Sequence, residues 1–202
     1  MTLEEMCVAA ARYSDRYDEF ERTLDGDDNE AESYYEDDAL HYFYVFREAI
    51  NEAQREISRM YAMPDRWAEV TVDENQQIDL TEMSPGLYTV KSLLNSNKSG
   101  MVDYTFDTKY ILNVQAEPES TVNLFYHFIP DDLVYLDDEP FFTEAQADPM
   151  VYICLAVARM WYSEKKFDYG DRWMAQYQMH LREIKSSLKD RSRRRIPRGV
   201  FR

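Results

Sequence analysis

Glycine, histidine, cysteine and positive charge are all scarce in this 202-residue chain, and each scarcity argues against a class of function. The five glycines, at 26, 86, 100, 170 and 199, never cluster, so there is no backbone loop of the kind that cradles phosphate. His41, His127 and His180 are far apart and none neighbours a cysteine, which argues against a zinc site. Cys7 and Cys154 form no C-x-x-C pair; both sit in apolar helical patterns and are expected to be buried, reduced thiols, consistent with synthesis inside a cell. No G-x-S-x-G turn presents a serine nucleophile. Carboxylate pairs are uninformative where 39 acids are present. Nothing offers a nucleophile, a base or a cofactor clamp, so neither an enzyme nor a cofactor is expected.

Long hydrophobic runs are also missing. The most apolar stretch, "MVYICLAVARMWY", is 13 residues long and contains Arg159, too short to span a bilayer, so it reads as a buried helix. The opening "MTLEEMCVAA" carries acids where a secretion signal needs positive charge. No membrane association is expected.

What is abundant is acid and aromatic surface. The formal charge of −16 argues against a general nucleic-acid binder, because phosphates are gripped by Lys and Arg. Its distribution is lopsided. Seven basic residues stand against Asp190 between Lys189 and Arg202, a net of +6; subtracting this from −16 leaves −22 on the preceding 188 residues. Such a chain has an electrostatic reason to bind something acidic, a copy of itself included. Hydrophobic content of 45% and aromatic content of 14% are ample for a packed core. Sixteen tyrosines suit interfaces as well as interiors.

Periodicity predicts an α+β protein: an antiparallel bundle of about four helices, an inserted antiparallel β-meander and an extended C-terminal tail. Apolar residues at Leu3, Met6, Cys7, Ala10, Tyr13, Tyr17, Phe20 and Leu24 predict one amphipathic helix, or two short ones in line. Phe43, Phe46, Ile50, Ala53, Ile57 and Met60 repeat at three-four spacing and predict a second. Its other side carries Arg47, Glu48, Glu52, Arg55, Glu56 and Arg59, to be solvated or to face a neighbouring subunit. Alternating patterns from about Glu69 to Ile129 predict six strands, the last with Val122, Leu124, Tyr126 and Phe128 on one face. An apolar helix from about Glu144 to Tyr162 and a last helix with Met174, Tyr177, Leu181, Ile184 and Leu188 form an antiparallel pair. The expected divisions are 2–67 for the N-terminal helices with an acidic connector at 18–38, 68–136 for the meander, 137–190 for the helix pair and 191–202 for the tail.

Two stretches could carry binding. "DGDDNEAESYYE" offers Asp25, Asp27, Asn29, Ser33 and Glu36 at the first, third, fifth, ninth and twelfth positions of a calcium loop. The sixth position, where the backbone must adopt positive φ, holds Glu30 instead of glycine, and no second loop exists. An acidic connector between helices is therefore expected, and no metal. The tail combines Arg191, Arg193, Arg194, Arg195, Arg198 and Arg202 with apolar Ile196, Val200 and Phe201, a mixture suited to docking in an acidic groove on a protein.

The order of elements carries a resemblance. "FREAINEAQREISRMY" is followed by strands ending in "VNLFYHFIPDDLVYLDDEPFF", then "MVYICLAVARMWYSEKK" and "YGDRWMAQYQMHLREI". The most specific parts are Tyr126 and Phe128 leading to Pro130, the L-D-D-E-P of Leu136–Pro140, and Ala156 with Ala158. From about Leu3 to Ile184 the chain resembles the head–tail adaptor (connector) proteins of tailed bacteriophages. That resemblance implies a non-enzymatic virion protein, made in the host cytoplasm. It implies a ring of copies, typically dodecameric, between the portal and a downstream tail or stopper protein. Genomic DNA would pass through the lumen without specific binding, and the C-terminal tail would reach toward the portal. An acidic body suits a conduit, since it repels the duplex instead of gripping it. The residues alone leave open a calcium-regulated helix–loop–helix module and an acidic DNA mimic or interaction protein.

Overall fold

The computed structural model describes residues 1–20, 30–60, 65–81, 83, 86–142 and 147–194. The protein is α+β, with helices and two antiparallel sheets. It divides into a helical unit, Met1–Tyr61 with Asp132–Arg202, and a β unit, Ala62–Asp131. The insert is thus shorter at its far end than the sequence suggests: Leu133 and Leu136 are buried in the helical unit, not in the β unit. At its near end it claims Asp65–Trp67, because those residues already pair as strand.

In the helical unit, α1 spans Leu3–Tyr13 and begins with a capping box: Glu5 N–H donates to Thr2 Oγ1, and Thr2 N–H to Glu5 Oε2. It ends at Asp15, whose φ of 60° turns the chain left-handed while Arg16 N–H donates to Ala11 C=O at 2.8 Å. That turn decides between the two expected arrangements in favour of separate helices, the second being α2, Tyr17–Phe20. After α3 (Ala31–Tyr34), α4 runs from Asp37 to Met60, six residues earlier than its apolar repeat begins. The fifth helix, α5 (Met150–Ser163), starts later than expected, and Val151–Ala158 are all buried. It packs against α4, α6 and α1, which is why its sequence is apolar all round. Cys7 and Cys154 are free and buried; burial pushes both thiols up, Cys154 to about 11.

The last helix, α6, spans Phe167–Arg194. Arg191, Arg193 and Arg194 therefore belong to its final turn and not to an extended tail. Arginine is a good helix former, and the first residue that forbids a helix is Pro197. Arg195, Ile196, Arg198, Val200, Phe201 and Arg202 lie outside the described residues. Gly170 in the first turn of α6 permits a close approach: a Cβ there would sit 2.5 Å from the ring of Tyr162 on α5.

The irregular segment 132–142 is fixed by polar side chains of α4 and by the start of α1. Asn51 donates to Leu133 C=O at 3.0 Å and accepts from Leu133 N–H at 2.8 Å. Gln54 accepts from Phe141 N–H at 2.8 Å. The first free N–H groups of α1, on Leu3 and Glu4, donate to Asp138 and Leu136 C=O. Within the segment, Asp138 Oδ2 accepts from Val134 and Tyr135 N–H. This gives L-D-D-E-P a physical role: Leu136 is the apolar anchor and Asp138 holds the turn.

In the β unit the strands are β1 (Asp65–Thr71), β2 (Gln77–Asp79), β3 (Leu87–Asn95), β4 (Tyr104–Phe106), β5 (Ile111–Val114) and β6 (Thr121–Phe128). They form two sheets, ordered β1-β6-β3 and β2-β5-β4, so the connectivity is not the predicted meander. β1 and β2, expected to be neighbours, pair with β6 and β5 instead. Leu93, Leu112, Val122, Leu124, Tyr126 and Phe128 join the core between them, with the last strand's apolar face as read from the alternation. Buried Asn123 donates to the C=O groups of Asn95 and Ser96 and anchors the turn that follows β3.

Candidate assembly surface

α5 ends as α1 does: Lys165 has φ 61°, and Lys166 N–H donates to Trp161 C=O at 2.9 Å. The turn brings aromatic side chains of α5, α6 and α1 to one end of the helical unit. Trp161 lies 5.2 Å from Tyr169, Tyr13 5.4 Å from Trp173, and Tyr162 6.3 Å from Phe167, between ring centres. Lys166 stands 4.6 Å over the Trp161 ring and Arg172 5.8 Å over Tyr169. Phe167, Tyr169 and Tyr13 are 59%, 53% and 52% exposed, more than packing within one subunit requires.

An ion network is centred on Glu164 in the same α5–α6 turn. Glu164 takes the Arg16 guanidinium and, at 2.9 Å, the Lys166 ammonium, and accepts from Tyr42 O–H at 3.2 Å. One carboxylate thereby ties the α1–α2 link, α4 and the α5–α6 turn. Burial pushes Glu164 up, but the hydrogen bonds from Lys166 and Arg16 outweigh it and hold the carboxyl below its ordinary range. Burial likewise opposes the Arg16 charge, and the hydrogen bond to Glu164 reverses the balance, raising it.

A pH-dependent stability follows. A carboxyl depressed in the folded state stabilises fully above its unfolded value, and that share is lost as pH falls through the folded value. Glu164→Gln should cost about 1 kcal/mol at neutral pH, because it leaves the partly buried Arg16 with only the longer 3.7 Å contact to Glu19 and the ring of Tyr42. The gap between variant and parent should narrow as pH falls through and below the ordinary carboxylate range, because the folded value is the lower one. Thermal melts of both proteins from neutral to acid pH measure it; a constant gap would mean the charge on Glu164 is not what stabilises.

The charged side of α4, expected to be solvated or to meet a neighbour, is largely used within the unit. Glu52 accepts from Nε and Nη2 of Arg159, Arg55 binds Asp132 at 2.7 Å, and Glu56 accepts from Tyr177 O–H at 2.5 Å. Between α4 and α5 a shallow groove of about 530 Å³ is lined by Tyr44, Val45, Glu48, Glu52 and Arg159 among others.

Of the calcium-loop residues, Asp25, Asp27 and Asn29 lie outside the described residues; Ser33 is in α3, and Glu36 is exposed between α3 and α4 rather than in a helix. No group of acids, histidines and cysteines able to hold a metal ion is present among the described residues. No helix among them is long and apolar enough to cross a membrane. The aromatic patch was hidden in the sequence because "SEKKFDYGD" reads as a linker. A run of aromatics bracketing a lysine pair was the available signal. The chain matches no known protein family, and no curated protein matches it.

Proposed function

We propose that this protein is a structural head–tail adaptor of a tailed bacteriophage, a subunit of a ring set between the portal and the tail. The observation that carries the reading is the exposed aromatic patch of Tyr13, Phe167 and Tyr169 with Trp161 and Trp173. Aromatic residues with interleaved Lys and Arg make the energetic centres of protein interfaces. The element order agrees with the resemblance: helices, a β insert, an apolar central helix and a last helix. In a closed ring, each copy would cover a neighbour's patch. The basic C-terminal end would face acids on the portal, the opposite end would meet a stopper or tail protein, and DNA would pass without being held.

The test is the mass of the purified protein, alone and mixed with a portal from the same source. A ring, dodecameric by the resemblance, is expected in at least one condition. Phe167→Ala combined with Tyr169→Ala should reduce it to single subunits without lowering the melting temperature, since both side chains are exposed. A parent protein that stays monomeric in both conditions would overturn the reading.

A further inference from the structure

Among the described residues of the helical unit, the exposed large hydrophobic side chains gather in two places, Met179 apart. One is the aromatic patch of Tyr13, Phe167 and Tyr169. The other is the irregular segment 132–142, where Val134, Tyr135 and Phe141 are 49%, 48% and 40% exposed. Leu133, Leu136 and Phe142 of the same segment are buried, so the chain is anchored from within and presents its remaining apolar residues outward. The hydrogen bonds of Asn51, Gln54 and Asp138 fix that presentation. An apolar ridge on a pinned backbone is shaped in advance for a partner, which lowers the entropy lost on association.

The two surfaces lie at opposite ends of the unit. Leu3 and Glu4 at the start of α1 donate to Asp138 and Leu136 of the ridge, while Tyr13 at its end lies against Trp173 in the patch. The helical rise from Leu3 to Tyr13 separates them by about 15 Å. The fourth helix has the matching polarity: Gln54 binds Phe141 of the ridge, and Tyr42 binds Glu164 of the α5–α6 turn, about 18 Å away along the axis. Within one copy, neither surface can cover the other.

Their charges differ as well. From Asp132 to Phe142 there are four acids and no base, and Glu4 and Glu5 stand beside them at the start of α1. The patch interleaves its rings with Lys165, Lys166 and Arg172; of its two exposed acids, Asp168 and Asp171, the second is taken by Tyr162 O–H at 2.7 Å. The side chains of Glu139 on the ridge and Lys165 on the patch form no hydrogen bond or ion pair with other described residues. Ridge against ridge would set four acids against four. Patch against patch would leave the ridge uncovered. The other exposed aromatic beside a cation, Trp67 of the β unit, already stacks on Phe125 and has Lys98 over its ring. We infer that the ridge of one copy covers the aromatic patch of the next, with Tyr135 and Phe141 against Phe167 and Tyr169, and Glu139 facing Lys165. Two different surfaces make a head-to-tail contact, which repeats from copy to copy and closes as a ring where the rotation allows. The inference rests on the ring reading and names the surface that covers the patch.

Two variants of the full chain test it, each with one surface removed. Tyr135→Ala with Glu139→Lys disables the ridge, and Phe167→Ala with Tyr169→Ala disables the patch. All four side chains are exposed, so the melting curves should match the parent's. If the ridge pair shifts the curve, Val134→Ala with Glu139→Lys takes its place, since Val134 is exposed too. Masses are measured by sedimentation at the concentration at which the parent forms its ring, and with the portal if the parent requires it. Neither variant alone should form the ring. Mixed in equal amounts, the two should stop at a two-chain complex, because only the patch variant's ridge can meet the ridge variant's patch. A ridge variant that assembles as the parent does would overturn the inference and leave the ring reading standing. So would a mixture that stays as single chains while the parent assembles. A parent that never assembles would overturn the ring reading, and this inference with it.

Discussion

Truncation of residues 195–202 should leave the melting temperature unchanged and abolish attachment to portal-bearing heads. The cut falls after Arg194, so the described residues of α6, Phe167–Arg194, are all kept. The removed piece carries Arg195, Arg198 and Arg202 with Ile196, Val200 and Phe201, and no acid, whereas the chain as a whole is at −16. Each exposed arginine pair contributes little, about 0.5 kcal/mol. Burying Phe201 against a partner adds about 2 kcal/mol. In the proposed ring, repetition would convert these small terms into a stable joint through effective concentration. Attachment by the parent should weaken as salt rises, since its charged share is screened. Sedimentation of the parent and the truncated protein with purified heads, at low and high salt, reads the effect. A truncated protein that attaches with undiminished affinity and salt resistance would make the C-terminal piece a bystander.

The largest effect on stability is expected at Asn51. Its side chain is buried and satisfies both the N–H and the C=O of Leu133, itself buried. Asn51→Ala removes a donor and an acceptor together and leaves two backbone groups unpaired away from water, a cost of about 3 kcal/mol. For a protein of this size that lowers the melting temperature by roughly 6–12 °C. Glu48→Ala, on the groove side of the same helix, should change it by no more than about 1–2 °C. If Asn51→Ala melts as the parent does, segment 132–142 is held by something other than this pair of hydrogen bonds.

Asn51 also shows where sequence reading stops. The apolar repeat of α4 was legible from Phe43 to Ile57, but Asn51, Gln54 and Ser58 are equally buried and form a polar stripe beside it. An amide in a helix reads as solvent-facing unless one knows that an irregular segment lies against it with backbone groups to satisfy. The six strands were legible from their alternation, and so was the inward face of β6. Their pairing was not, because β1 and β6 are distant in sequence and alternation says nothing about which strand lies beside which. Helix ends fared worst where a left-handed residue ended them: Asp15 and Lys165 are ordinary polar residues, with no glycine to mark the turn. Glu164 was one acid among 39, and only its three partners distinguish it.

The pairing of β1 with β6 bears on the order in which the chain folds. The insert is Ala62–Asp131, and its first and last strands lie side by side, Asp65 opposite His127. Before that pairing, bringing α4 against Leu133 requires closure of a loop of about 70 residues; afterwards only about seven residues remain outside the paired strands. The entropic cost of that closure falls by about 2 kcal/mol, from the logarithm of a tenfold shorter loop. A β unit that folds first thus acts as a clasp for the helices. It also means that a different small domain with adjacent ends could stand in its place while the helical unit keeps its own core.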